Sequence, residues 1–143
     1  MSKVLLVVAH PNIASSIGNK TIIAKFKTLH PDVEIDELYK LYPDFKIDVK
    51  KEQEKLLKAD YIILQFPMFW YNAPALMRQW FESVLEHGFA YGSKGKALEG
   101  KQLIFYLEEI FLWSRRQSHV QEHLRTIVAL KRARYTKTLE IVK

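Results

Sequence analysis

The sequence predicts an α/β domain built on a doubly wound parallel sheet, three layers deep in the order αβα, with an atypical C-terminal end. Three observations predict it. Residues 4–9 are a continuous apolar run rich in β-formers, and 61–66 and 102–107 are largely apolar strand-like runs, the pattern of strands covered on both faces. Between them lie segments with apolar residues at helical spacing, and strands alternating with helices imply right-handed crossovers and a parallel sheet. The length, 143 residues with 48% hydrophobic and 27% charged, suits one domain spanning 1–143 and excludes a disordered chain.

Each element follows from its composition. Val4, Leu5, Leu6, Val7, Val8 and Ala9 form the first strand, which His10-Pro11 ends. Residues 19–29 place Ile22, Ile23 and Phe26 on one helical face, with Lys20, Lys25 and Lys27 largely off it, and Pro31 follows. Val33, Ile35 and Leu38 indicate a short second strand, and residues 50–58 a charged helix whose clearest apolar contacts are Leu56 and Leu57. The strand 61–66 is broken by Pro67. Pro74 then stands in the first turn of a helix carrying Leu76, Met77, Trp80, Phe81, Val84 and Leu85 on its apolar side. A Gly/Lys loop, 88–100, leads to the fourth strand.

The formal net charge of +6 would ordinarily suggest an anionic partner, but its placement points away from nucleic acid. Residues 1–113 hold 14 basic and 14 acidic side chains, and the excess lies in 114–143, with eight basic and two acidic. Arg115, Arg116, Arg125, Lys131, Arg132 and Arg134 read as a solvated face rather than a duplex-binding surface. The absence of cysteine excludes a disulfide framework, a thiol nucleophile and a thiolate metal site. No apolar run reaches the length of a membrane span, so a soluble, cytoplasmic protein is expected.

In a doubly wound sheet, ligands bind beyond the carboxyl ends of the strands, which directs attention to two loops. The first, 10–19, contains His10, Ser16, Gly18 and Asn19 and feeds a helix. It matches neither the dinucleotide nor the nucleoside-triphosphate fingerprint, so plain helix capping and phosphate binding both remain open. The second reads Pro67, Met68, Phe69, Trp70, Tyr71, Asn72, Ala73, Pro74. Three consecutive aromatics cannot all enter one core, so this loop either covers a flat ligand or is buried against its own domain or a second copy.

Several of these segments occur together as an ordered series: Val7-Val8-Ala9-His10-Pro11, then Ser16 and Asn19, then Glu54-Lys55-Leu56-Leu57-Lys58-Ala59-Asp60, then Gln65-Phe66-Pro67-Met68-Phe69-Trp70-Tyr71 with Pro74-Ala75, then Gly88-Phe89-Ala90-Tyr91-Gly92. Over residues 3 to about 104 the chain resembles the flavodoxin-like NAD(P)H:quinone oxidoreductases, with their bacterial general-stress and potassium-efflux-associated relatives. The resemblance implies a homodimeric flavoenzyme, using FMN or FAD, that takes hydride from NADH or NADPH and reduces quinone-like acceptors by two electrons. It assigns His10, Ser16, Gly18 and Asn19 to the flavin phosphate and ribityl end. Phe69, Trp70, Tyr71 and Asn72 would border the isoalloxazine ring, with Pro67 and Met68 shaping the turn. Phe89, Ala90 and Tyr91 would lie at the substrate pocket, against a dimer partner. By analogy it also raises a membrane transporter as a partner. The alternative it leaves is a catalytically weakened relative acting as a regulatory or binding subunit.

The resemblance stops near residue 107. Where the family carries a Thr/Gly-rich third flavin loop, this chain reads Leu107-Glu108-Glu109-Ile110-Phe111-Leu112-Trp113-Ser114-Arg115-Arg116, and residues 101–143 contain no Gly or Pro. Two readings stand: a variant end forming a helix over 114–134 and a strand over 135–142, or an end replaced by a shift of reading frame. The remaining histidines and lysines carry less. His30 reads as a surface turn and His87 as a helix C-terminal residue. Lys94 and Lys96 read as solvated loop lysines, and His119 with His123 lacks the Glu of a zinc-protease motif, so no metal site is expected.

Overall fold

A computed structural model of the chain describes residues 2–69 and 72–108. Four strands, β1 (Val4–Val8), β2 (Glu34–Glu37), β3 (Tyr61–Pro67) and β4 (Gln102–Glu108), form one parallel sheet in the order β2-β1-β3-β4. The helices are α1 (Ile17–Leu29), α2 (Leu38–Leu41), α3 (Val49–Lys58) and α4 (Ala75–Val84), and a 3-10 turn, Ile13–Ser15, precedes α1. The expected α/β architecture and flavodoxin-like topology are present in these elements. From β1 the chain first moves outward to β2 and then crosses back to β3 on the other side, so the sheet order reverses between β1 and β3.

Successive strand residues point to opposite faces, and the apolar runs therefore fill two cores. Leu5, Val7 and Ala9 join Ile62, Leu64 and Phe66 against Leu56 of α3 and Leu76, Met77, Trp80 and Val84 of α4. Leu6, Val8 and Ile63 face the other way, against Ile23 and the partly buried Phe26 of α1. Lys20, Lys25 and Lys27 are exposed, as their spacing predicts.

Four local expectations are corrected. Leu38 is not in the second strand: β2 pairs only with β1, and that pairing ends at Val8 opposite Glu37, so the chain turns and a buried Leu38 begins α2. Leu57 is 53% exposed, because α3 turns Glu52, Lys55 and Leu56 inward and leaves the following residue outside. Pro67 is the last residue of β3, still paired with β4 and past the end of the β1 pairing, where its missing N–H costs no ladder bond. Pro74 occupies the N-cap of α4, one position before the helix, and its carbonyl accepts from the Arg78 N–H at 3.0 Å. The helix and strand expected over 114–142 lie outside the described residues, as do His119 and His123. Among the described residues no helix is long and apolar enough to cross a membrane.

Candidate functional site

The two loops singled out by sequence leave the same end of the sheet from neighbouring strands. Val8 pairs with Gln65, and the Ala9 N–H donates to the Gln65 carbonyl at 2.9 Å, so the first loop begins beside the residue that precedes Phe66 and Pro67.

In the first loop, the His10 ring accepts through Nδ1 from the Asn12 N–H at 3.0 Å, which folds the chain into the 3-10 turn. Ser16 is the N-cap of α1: its Oγ accepts from the Asn19 N–H at 3.2 Å and from Asn19 Nδ2 at 2.9 Å. Capping, one of the two readings left open by the sequence, is therefore present, and it falls to Ser16, while Asn19 is a buried residue of the first turn. The Ser16 carbonyl takes the Lys20 N–H. The helix geometry leaves the N–H groups of the exposed residues Ile17 and Gly18 outside the ladder, the arrangement that receives an anion at a helix start.

Gln65 links the two loops. Its Nε2 donates to Asn19 Oδ1, and the side chain is wholly buried. Its Oε1 is buried without a hydrogen-bond partner among the described residues. A polar residue inside the otherwise apolar run 61–66 was the available signal for this role, which the sequence reading did not assign.

In the second loop, Pro67 is buried and Met68 and Phe69 are half-buried. Phe69 and Asn72 exchange both main-chain hydrogen bonds, at 2.9 and 2.8 Å, closing the base of the loop. The exposed Asn72 accepts the Ala73 N–H through Oδ1 at 2.9 Å. Trp70 and Tyr71 lie outside the described residues. Phe89, Ala90 and Tyr91 follow the far end of α4, in the connection that returns to the start of β4, and the chain does not bring them to its own two loops. Phe89 packs on the α3/α4 core, and Tyr91 is exposed with its ring edge-on to His87, centroids 5.5 Å apart. His87 thus lies past the helix end, bridged to Tyr91.

A cleft of about 280 Å³ lies between the first loop and the end of β2. Val8, His10, Pro11, Asn12, Ile13 and Ala14 form one side, and Glu37, Tyr39 and Lys40 the other. The β2 side was missed by sequence motifs; only the adjacency of β1 and β2 reveals it.

Behind that wall, on the α3/α4 face, sits a buried charged cluster. Lys55 Nζ donates to Asp36 Oδ1 at 2.7 Å and to Glu52 Oε1 at 2.8 Å. Glu52 also accepts from the Tyr42 hydroxyl at 2.7 Å and from Trp80 Nε1 at 2.9 Å. Asp36 Oδ2 is buried without a hydrogen-bond partner among the described residues. Burial pushes the Asp36 carboxyl up to about 6, against the pull of Lys55 and with the added push of Glu52. Burial also presses Glu52 upward, but the hydrogen bonds from Lys55, Tyr42 and Trp80 outweigh it and hold the group below the usual carboxylate range. For Lys55, burial acts downward and the two carboxylates prevail, raising it. Burial and Glu52 together raise the Tyr42 phenol.

Comparison with known proteins agrees with this topology. A family model described as a flavodoxin-like fold matches residues 2–107. The uncharacterized NAD(P)H oxidoreductase YrkL of Bacillus subtilis is 48% identical over 102 residues, 71% of this chain and 58% of that protein. The glutathione-regulated potassium-efflux system ancillary protein KefF of an Enterobacter species is 46% identical over 102 residues, 71% of this chain and 57% of that protein. The chain thus spans under three-fifths of the length of these relatives. Among solved structures, general stress protein 14 of Treponema denticola in complex with FMN superposes with a TM-score of 0.71 at 40% identity, over 75% of this chain and 62% of that one. An NADPH-quinone reductase from P. pentosaceus gives 0.65 at 36% identity, over 75% and 60%. A sheet ordered β2-β1-β3-β4, two loops meeting at its point of reversal and a family match across residues 2–107 together place the chain in the flavodoxin-like family.

Proposed function

We propose that this chain binds a flavin across the two loops and serves as an NAD(P)H-dependent oxidoreductase acting on quinones or similar acceptors. The observation that carries the reading is the meeting, at the reversal of the sheet, of a capped helix start with outward N–H groups and an aromatic-rich loop on the neighbouring strand. A flavin, a flat ring on a phosphate stalk, matches that pairing of an anion site with an apolar wall, and when bound it supplies the hydride chemistry that the protein orients. FMN in the Treponema relative and the names of the NAD(P)H-linked relatives support the assignment.

In this reading His10, Ser16, Gly18 and Asn19 hold the phosphate and ribityl end. Pro67, Met68, Phe69 and Asn72, with Trp70 and Tyr71, border the ring. Ser16 and Gln65 keep the helix start fixed against β3, so the phosphate site and the ring wall hold their relative position. Phe89, Ala90 and Tyr91 stand beyond the far end of α4, away from their own chain's two loops. A homodimer in which a second copy presents them to the acceptor accommodates them. A cytoplasmic location, where NAD(P)H is supplied, goes with this assignment.

The test is a titration of the purified protein with FMN and FAD, followed by NADH or NADPH oxidation with a soluble quinone. Saturable flavin uptake and quinone-dependent oxidation are expected, and a protein that takes up neither flavin overturns the reading. The likeness to an ancillary protein of a potassium-efflux system favours a second one, a flavin-binding regulatory subunit of a membrane transporter. It predicts flavin retention without turnover.

A further inference from the structure

We propose that the cleft between the first loop and the end of β2 is a subsite for an adenosine phosphate arm, in which Glu37 holds the ribose hydroxyls. The proposal deepens the flavin and NAD(P)H reading, on which it rests, by naming which part of a dinucleotide the β2 side receives.

The topology is the first argument. Residues 4–37 run strand, loop, helix, adjacent parallel strand, and Val8 at the end of β1 lies directly opposite Glu37 at the end of β2. In parallel units that bind dinucleotides, phosphate sits at the helix start, and an acidic residue closing the second strand, about 20 residues on, accepts the ribose hydroxyl. Glu37 stands at that place, about 20 residues beyond Gly18. The glycine-rich turn of such units is replaced here by the 3-10 turn Ile13–Ser15, and the cleft opens against that turn.

The second argument is the chemistry of the walls. Val8, Pro11, Ile13 and Ala14 supply apolar surface for a purine, beside Tyr39, whose ring packs edge-on to Phe45. Lys40 is exposed at the rim, where a phosphate would lie. The half-buried Glu37 carboxylate makes no hydrogen bond or ion pair among the described residues, whereas its neighbour Asp36 points to the opposite face and is held by Lys55. At about 280 Å³ the cleft lies just below the usual size of ligand pockets, roughly 300–1,000 Å³, suited to one part of a dinucleotide rather than the whole. Its position completes the case. The aromatic loop leaves β3, on the other side of β1 from β2, so a ligand with its ring there reaches the cleft with its far end.

Both FAD and a pyridine nucleotide carry such an arm, and ADP is the probe they share. Binding of ADP and of 2′-deoxy-ADP to the full chain is measured by titration calorimetry. Wild type is expected to bind ADP about tenfold more tightly, the effect of one hydrogen bond to a charged acceptor. Glu37→Ala is expected to bind the two nucleotides equally, and Lys40→Glu to weaken both alike. Displacement of ADP by FAD but not FMN assigns the arm to the flavin. Displacement by NADH from FMN-loaded protein assigns it to the pyridine nucleotide. No ADP binding at millimolar concentration, no discrimination by wild type, discrimination retained in Glu37→Ala, displacement by FMN itself, or displacement by none of these would each overturn the proposal. Because wild type alone tests the 2′-hydroxyl, an unstable variant does not blunt the experiment. FMN uptake, measured separately, distinguishes a failure here from a failure of the flavin reading.

Discussion

The two faces of the sheet bury polar groups in opposite ways. On the α3/α4 face the buried polar groups are charged: Asp36, Lys55 and Glu52, with Tyr42 and Trp80 donating to Glu52. On the α1 face they are neutral: Gln65, Asn19 and Ser16, joined in a chain that ends at the helix cap. The helix start suited to an anion lies on the neutral face. The charged cluster therefore belongs to the face whose task is to fix α3, α4 and β2, and the neutral chain to the face that presents the ligand.

The largest effect that separates the faces is expected from Glu52→Ala. It leaves the Lys55 ammonium, the Tyr42 hydroxyl and the Trp80 N–H without their shared acceptor, and breaking a buried ion pair in this way costs about 3–5 kcal/mol. Urea denaturation should record that loss, while FMN affinity of the folded protein stays at the wild-type value. A fall in affinity without a fall in stability would show the two faces to be coupled.

The pH response of the charged face comes next in size. Asp36 is raised from 3.8 to about 6, so between those values the native state keeps a proton that the unfolded chain has released. Stability from this group is complete below about pH 4 and is lost as pH rises through about 6. Glu52, held low, acts in the opposite sense and withdraws stability only as the solution becomes more acid than its usual range. Asp36→Asn should flatten the decline between pH 4 and 7 by up to roughly 3 kcal/mol, read as the difference between the two proteins' urea midpoints. Parallel curves for the two would overturn the assignment.

The strands and the two loops were legible because their signals are local: apolar runs of the right length, prolines at their ends and a polar segment feeding a helix. The charged cluster was not. Asp36 and Glu34 lie on the same face of a short strand, so alternation along the strand does not tell the buried one from the exposed one. Lys55 reads as one more solvated lysine of a charged helix until α3 is set against β2. Leu57 misled for the same reason, since a nine-residue charged stretch does not fix which side of the helix faces the sheet. The β2 side of the cleft needed the strand order itself, because Glu37, Tyr39 and Lys40 become neighbours of His10 only when β2 lies against β1.

The smallest expected effect tests whether the neutral chain positions the site or merely stabilises it. Ser16→Ala removes the acceptor for the Asn19 N–H and Nδ2 groups, and loss of such a cap costs about 1 kcal/mol. Ser16→Gly removes the same hydroxyl, yet a glycine cap costs only a few tenths of a kcal/mol by comparison. If the hydroxyl serves stability alone, FMN affinity should follow the denaturation midpoint and remain near wild type in Ser16→Gly. If it holds Asn19 and the helix start in place for the phosphate, both variants should lose FMN affinity to a similar extent, about tenfold, while only Ser16→Ala shows the lower midpoint. The second pattern is expected, because Asn19 Nδ2 donates to the Ser16 hydroxyl while Asn19 Oδ1 receives Gln65. Releasing Ser16 therefore loosens the contact between α1 and β3 on which both loops depend.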